Sequence, residues 1–192
     1  GVPINSPVML SLPQERRNAL GEASLEIAVR ELFEWGEMQT DPNFGNYLVR
    51  LGNGADVHDK IVLLDFGAIR QFDEHLLTVA RNLIKAGYHH NADAMVKAMT
   101  GYEFFDAIPM SIKPDMAKVF LLATEAFSST TNNPNLPTGV MDEQQRYDWK
   151  KSQLHSRVMQ QTSKSMTSRY FTVPPKEFMF ISRKFIGAYT FM

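Results

Sequence analysis

The chain has 192 residues, of which 44% are hydrophobic and 21% charged, a composition ordinary for a globular protein of one domain or one large lobe. A formal net charge of -1 gives no overall field that would favour nucleic acid as a partner. The absence of cysteine excludes a disulfide framework, a thiolate nucleophile and a cysteine-ligated zinc site. No apolar run approaches the ~20 residues that a membrane-spanning helix needs.

The first predicted element is a long helix. Ser11 is a suitable N-terminal cap, and Pro13 is tolerated in a first helical turn. Apolar residues then recur at roughly helical spacing as far as Trp35, and Gly36 is a typical residue for ending a helix.

A polar, turn-rich loop over residues 39–46 comes next, followed by a β-hairpin. Pro42 disfavours a helical conformation at Asp41, so we expect Asp41 on a rigid loop. Residues 47–49 and 61–64 are short β-type runs separated by a stretch rich in turn-forming residues, which is typical of a hairpin.

The rest of the chain favours helices. They are predicted from Asp73, a suitable cap, to about residue 86, and near 91–99, 114–127, 141–160 and 176–190. The last of these has an aromatic and methionine-rich face that suits core packing, with a membrane-surface helix as the alternative. The predicted fold class is therefore mainly α (α+β), with one small β-hairpin.

Three oxygen-bearing side chains, Asp41, Asn46 and Asp65, form the candidate site. Asn46 stands at the entry of the hairpin and Asp65 at its exit, so a folded hairpin makes them neighbours. A carboxylate and an amide oxygen suit Mg²⁺, and a second carboxylate can accept or orient the proton of an attacking hydroxyl or water. The spacing from Asp41 to Asn46, followed by Asp-Phe-Gly, is the pattern that protein kinases use for phosphoryl transfer.

The segments 38–46 (MQTDPNFGN) and 61–70 (IVLLDFGAIR) resemble the UbiB family of atypical kinases and ATPases, which is linked to ubiquinone (coenzyme Q) biosynthesis. Residues 121–127 and 173–184 are also similar in kind. The resemblance extends over most of residues 25–190, and its motifs are specific at 38–70.

The resemblance implies roles for five residues: Asp41 is the catalytic aspartate, Asn46 and Asp65 bind the metal, and Phe66 and Gly67 complete the cofactor-binding motif. It implies ATP and Mg²⁺ as cofactors. It also implies that residues 1–192 form the C-terminal lobe of a protein-kinase-like fold, with the N-terminal lobe outside this chain. The lobe then divides into a catalytic loop (38–46), the hairpin (47–64), a metal-binding loop (65–67) and a helical remainder (73–192).

The activity that the resemblance implies is ATP- and Mg²⁺-dependent phosphoryl transfer or ATP hydrolysis in support of ubiquinone biosynthesis. We expect this chain alone to be inactive without the second lobe. Candidate partners are ATP, a quinone-precursor lipid, a membrane surface and other ubiquinone-biosynthesis proteins, without nucleic acid. The implied location is the bacterial cytoplasm, at or near the inner membrane, or the matrix side of a mitochondrial membrane.

Two alternatives remain. A small-molecule phosphotransferase of the aminoglycoside or choline kinase type uses the same loop spacing, but usually begins it with His-Gly-Asp, whereas Gln39 and Thr40 precede Asp41 here. A non-catalytic, kinase-like regulatory module is the other. The short interval between Gly67 and the helix cap at Asp73 disfavours a long peptide-docking segment, which favours ATP hydrolysis or a small lipid-like acceptor.

Overall fold

The computed structural model describes residues 1–53, 58–144, 146–166 and 175–190. The chain divides into two compact units, Gly1–Leu77 with Pro174–Met192, and Thr78–Val173. The first unit contains β1 (Val2–Pro3), α1 (Pro7–Leu10), α2 (Gln14–Arg30), a π-helical segment (Glu31–Trp35), β2 (Glu37–Gln39), a 3₁₀ turn (Phe44–Asn46), β3 (Tyr47–Arg50), β4 (Lys60–Leu63), β5 (Ile69–Gln71) and α9 (Lys176–Thr190). The other elements are α3 (Glu74–Tyr88), whose first turn belongs to the first unit, α4 (Ala92–Ala98), α5 (Glu103–Asp106), α6 (Lys113–Ala123), a 3₁₀ turn (Glu125–Phe127), α7 (Trp149–Ser152) and α8 (Leu154–Met166). The predicted mainly α fold is confirmed.

Helix α2 and the π-helical segment form the long helix that the sequence predicts up to Trp35. Gly36 ends it with a φ of 69°, in the left-handed region where glycine carries no Cβ penalty. The prediction that Ser11 caps the helix is wrong. The Ser11 hydroxyl instead donates to the Val8 carbonyl at 2.7 Å at the end of α1, and Pro13 stands at the N-cap position of α2.

Two small antiparallel sheets frame the predicted loops. The first has the order β1-β3-β4 and contains the predicted hairpin, in which Tyr47 pairs with Leu63. The second pairs β2 with β5, so that Gln39 stands opposite Ile69. The sequence prediction missed β1, β2 and β5, because strands of two or three residues carry too little alternation to be recognised.

The hairpin is fixed along one face and at its far end. Tyr47 and Val49, which alternate along β3, point into an apolar cluster with Ile4, Met9 and Leu20. At its far end, Asp59 accepts a hydrogen bond from the Arg16 guanidinium at 2.8 Å and another from the Gly52 amide at 2.9 Å. These bonds lower the pKa of Asp59 below its usual value, with the Arg16 contact as the largest cause.

Helix α9 packs against α2 within the first unit, in agreement with the core-packing interpretation of residues 176–190. Its buried face contains Lys184, Gly187 and Ala188. Of the aromatic and methionine side chains that suggested a membrane surface, Phe178, Phe180 and Phe185 are partly buried and Met179 is exposed, and those after residue 188 lie outside the described side chains. In the part of the chain that the structure describes, no helix combines the length and the apolar character needed to span a bilayer.

The second unit is a helical layer around Phe105, which is 1% exposed and meets the Phe120 ring edge to face. The predicted helix over 141–160 is only partly correct, since helices occupy Trp149–Ser152 and Leu154–Met166. Asp142 accounts for the difference, because its side chain accepts hydrogen bonds from the amides of residues 144 and 146 and so forms a turn.

Candidate active site

The site lies on two loops that run between the two sheets. Residues 40–46 connect β2 to β3, and residues 64–68 connect β4 to β5. Because β2 pairs with β5 and β3 pairs with β4, each loop is held at both ends next to the other. The two ladders therefore bring the candidate residues of both loops together.

Gln39 bridges the two loops. Its side chain is buried, with Oε1 accepting from the Asp41 amide at 2.6 Å and Nε2 donating to the Asp65 carbonyl at 2.7 Å. Thr40 adds two bonds, since its amide and its hydroxyl both donate to the Ala68 carbonyl, at 3.1 and 2.9 Å. Three of these hydrogen bonds fix the catalytic-loop candidate relative to the metal-loop candidate, and the fourth fixes the Asp41 amide to Gln39 within the catalytic loop.

Asn46 contacts Asp41 directly. Its Nδ2 donates to the Asp41 carbonyl at 3.2 Å and to Oδ2 of the same residue at 3.3 Å. Asn46 also lies beside the second loop, because its carbonyl accepts from the Leu64 amide at 3.0 Å. Since Nδ2 faces Asp41, the amide oxygen Oδ1 of Asn46 is the atom suited to bind a cation.

Asp65, Phe66 and Gly67 occupy an exposed turn after β4. The Asp65 carboxylate accepts from the Gly67 amide at 2.7 Å, which fixes the side chain at the start of the turn. A Cβ at position 67 would stand 3.1 Å from Asp65 Oδ1, so a larger residue there would displace the carboxylate by a few tenths of an ångström. Phe66 is 54% exposed, and its place in the cofactor-binding motif stays a prediction.

Sequence reasoning missed Arg183, which reaches the site from α9. Its guanidinium donates to Asp41 Oδ1 at 2.9 Å, across 142 positions of sequence. One turn further along α9, Gly187 lies against Pro42, the residue after Asp41. No local pattern reveals this contact, because it depends on how α9 packs against the loop.

Sequence reasoning also missed a buried charged group beside the site. Lys184 forms an ion pair with Glu31, with Nζ and Oε2 2.6 Å apart, and donates to the Tyr47 hydroxyl at 3.2 Å. All three residues are at most 4% exposed. One available signal was the register of α2, since Glu31 follows the buried positions Ser24 and Ala28 at helical spacing.

The residues present fit a magnesium ion by the chemistry of their donors. Asn46 and Asp65 offer an amide and a carboxylate oxygen on adjacent loops, and Mg²⁺ is commonly held by one or two such groups together with phosphates and water. Among the described residues, no three His, Asp or Glu side chains form a metal-binding group, which distinguishes this arrangement from an all-protein metal cage.

The mainly α fold with these paired loops is consistent with a kinase-like fragment, and comparison with known proteins agrees. Residues 1–99 match the model of the ABC1 atypical kinase-like domain. The chain belongs to the ABC1 atypical kinase-like family.

Three relatives match nearly the whole chain. One is "Atypical kinase coq-8, mitochondrial" of Caenorhabditis elegans, 26% identical over 92% of this chain and 22% of the relative. The zebrafish (Danio rerio) "Atypical kinase COQ8B, mitochondrial" is 27% identical over 98% of this chain and 27% of its own length. The Schizosaccharomyces pombe "Atypical kinase COQ8, mitochondrial" is 30% identical over 91% of this chain and 26% of its own length. The chain thus spans about a quarter of the length of these curated relatives.

Proposed function

We propose that this chain is the C-terminal lobe of an atypical kinase or ATPase that uses ATP and Mg²⁺ in support of ubiquinone biosynthesis. The observation that carries the proposal is the pairing of the loops 40–46 and 64–68, in which Gln39 links Asp41 to Asp65 and Asn46 contacts Asp41. Family membership and the names of the matched relatives support the kinase class.

Each residue has a distinct role in this proposal. Asn46 and Asp65 hold Mg²⁺, which supplies positive charge to the phosphates of ATP when it is bound. Asp41 orients the attacking hydroxyl or water and accepts its proton. Gln39 and Gly67 contribute by fixing the backbone of Asp41 and the carboxylate of Asp65.

Arg183 keeps the Asp41 carboxylate in one orientation. The bond from Arg183 uses Oδ1 and the bond from Asn46 uses Oδ2, so both oxygens are directed by neighbouring groups. A carboxylate with fixed orientation loses less entropy when it engages a substrate hydroxyl. Arg183 is 60% exposed at its side chain and can move aside when the substrate approaches.

For the acceptor, we propose water or a small lipid-like molecule related to quinone precursors. The interval from Gly67 to the start of α3 at Glu74 contains only a short strand and a cap, which disfavours a long peptide-docking segment. The three relatives described above are named as mitochondrial proteins, and this supports the mitochondrial location among those considered.

The experiment is a calorimetric titration of MgATP into the natural full-length protein. Asp65→Asn should weaken MgATP binding at least tenfold, because it removes a charged metal ligand. Asp41→Asn should bind MgATP normally while losing about 10²-fold or more in turnover, as expected for loss of an acid–base group.

Two outcomes would contradict the proposal. Unchanged MgATP binding in Asp65→Asn would exclude the metal role and favour a non-catalytic regulatory module. Phosphorylation of an aminoglycoside or choline, without stimulation by quinone-precursor lipid, would favour the small-molecule phosphotransferase.

A further inference from the structure

We propose that Lys184 is a positioning residue for the metal site. Through its contact with Tyr47 it fixes the position of Asn46, and through its ion pair with Glu31 it fixes the segment that leads into the catalytic loop. The inference rests on the proposed function, in that Asn46 is taken as a metal ligand. It assigns a role to a buried lysine on α9, far in sequence from both loops.

The burial of this ion pair is the first observation. Lys184 and Glu31 are 2% and 4% exposed, so both charges are removed from water. Desolvation of two charges offsets much of their attraction, and apolar residues of similar volume are often as stable or more stable in such places. Stability alone therefore accounts poorly for the pair, whereas a requirement for one defined geometry accounts for it well.

The second observation is the path from Lys184 to Asn46. Tyr47 follows Asn46 directly and begins β3, and its hydroxyl accepts from Lys184 Nζ at 3.2 Å while the ammonium lies 5.7 Å from the ring centroid. The Tyr47 carbonyl accepts from the Ile4 amide at 3.3 Å. Tyr47 is thus held at its hydroxyl and at its backbone, which fixes the chain where Asn46 leaves the loop.

The third observation concerns the other end of the same loop. Glu31 begins the π-helical segment Glu31–Trp35, which leads through Gly36 into β2 and then into residues 40–46. π-Helical turns change the direction of the side chains that follow and occur often at functional sites. Lys184 therefore contacts both the element before the catalytic loop and the residue after it.

The hydrogen bonds of Asn46 make its position sensitive to small movements. Its two bonds to Asp41 have donor–acceptor distances of 3.2 and 3.3 Å, which lie near the upper limit for a hydrogen bond from an N–H group. A shift of a few tenths of an ångström therefore weakens both. A change at Lys184 that moves Tyr47 would consequently move a metal ligand as well.

The test is Mn²⁺ binding to the natural full-length protein, followed by electron paramagnetic resonance of the free ion. Lys184→Met keeps an unbranched side chain of nearly the same length and removes its charge and its donor. Outer residues that orient metal ligands usually change metal affinity 10- to 100-fold, so we expect Mn²⁺ affinity to fall about tenfold. Tyr47→Phe, which removes the hydroxyl alone, should weaken Mn²⁺ binding in the same direction.

Lys113→Met is the matched control. Lys113 is 3% exposed and donates to the Met99 carbonyl at 2.7 Å, so it is a buried lysine of comparable setting in the second unit. Its substitution should lower stability without changing Mn²⁺ affinity.

Because Lys184→Met leaves Glu31 buried without its partner, the variant can fail to fold. The double variant Lys184→Met/Glu31→Gln removes both charges and decides that case. It should fold and still bind Mn²⁺ about tenfold more weakly than the wild type. Wild-type Mn²⁺ affinity in the double variant would overturn the positioning role.

The Asp65→Asn variant separates this inference from the proposed function. Loss of Mn²⁺ binding in Asp65→Asn together with normal binding in the double variant would overturn the role of Lys184 alone. Normal binding in Asp65→Asn would overturn the proposed metal site itself.

Discussion

Substitution of Gly187 by alanine tests whether α9 determines the position of the catalytic loop. An added Cβ would stand 2.1 Å from Pro42 Cβ and 2.6 Å from its Cγ. Carbon atoms in contact are about 3.5 Å apart, so the loop or the helix must move by about 1.4 Å. The Arg183–Asp41 bond, now 2.9 Å, would exceed hydrogen-bonding distance after a movement of that size away from the helix.

The expected change in stability is the difference between two opposing effects of the added methyl group. Overpacking costs about 1–3 kcal/mol, whereas replacing glycine by alanine inside a helix recovers up to about 1 kcal/mol. We therefore expect Gly187→Ala to lower the free energy of unfolding by about 1 kcal/mol. Turnover should fall further, by about 10²-fold, because a displacement of about 1 Å in a catalytic group has effects of that size.

Gly87→Ala provides a matched comparison. Its added Cβ would stand 2.2 Å from Thr124 Oγ1, in a helix of the second unit. Urea denaturation should show similar losses of stability for the two variants, and ATP turnover in the full-length protein should fall only for Gly187→Ala. Equal turnover of both variants, or a gain in stability for Gly187→Ala, would refute the reasoning.

Three other predictions concern stability. His90 has a φ of 46° where α3 ends, so His90→Gly should raise the free energy of unfolding by about 0.5 kcal/mol in urea denaturation; a decrease would contradict this. The pKa of Asp59 is lowered chiefly by Arg16, so the ionised carboxylate stabilises the fold above about pH 4. This stabilisation is lost as the pH falls further. Asp59→Asn should therefore show a smaller decrease in the free energy of unfolding between neutral and acid pH than the wild type. Arg157→Met leaves the buried Glu125 carboxylate without its bidentate partner, so it should lower the free energy of unfolding by about 3 kcal/mol in thermal denaturation. A decrease below about 1 kcal/mol would show that the pair is dispensable for stability.

The sequence predicted the elements whose determinants are local. Asp-Pro at 41–42, the turn-rich stretch between the two strands and the cap at Asp73 each act within a few residues, and the loop, the hairpin and the start of α3 followed from them. The Asp73 side chain accepts from the His75 amide at 2.8 Å, as a capping residue should.

Elements that depend on distant contacts could not be predicted in this way. Strands β2 and β5 are three residues each, and each depends on pairing with the other, about thirty positions away along the chain. The same limit applies to Gln39, whose buried amide is recognisable as a bridge only when both loops are in place. For candidate site residues, the sequence therefore indicated which side chains supply oxygen ligands, but not the groups that orient them.

Three of those orienting residues lie in one turn of α9. Within that turn, Arg183 contacts Asp41, Lys184 contacts Glu31 and Tyr47, and Gly187 allows close approach to the loop. The family model covers residues 1–99 and therefore does not include α9, whereas the match to the zebrafish relative covers 98% of the chain and does. Segments 38–46 and 61–70 specify the chemistry of the site, and its geometry also depends on a helix that begins more than a hundred residues later, because the two are packed in the same compact unit.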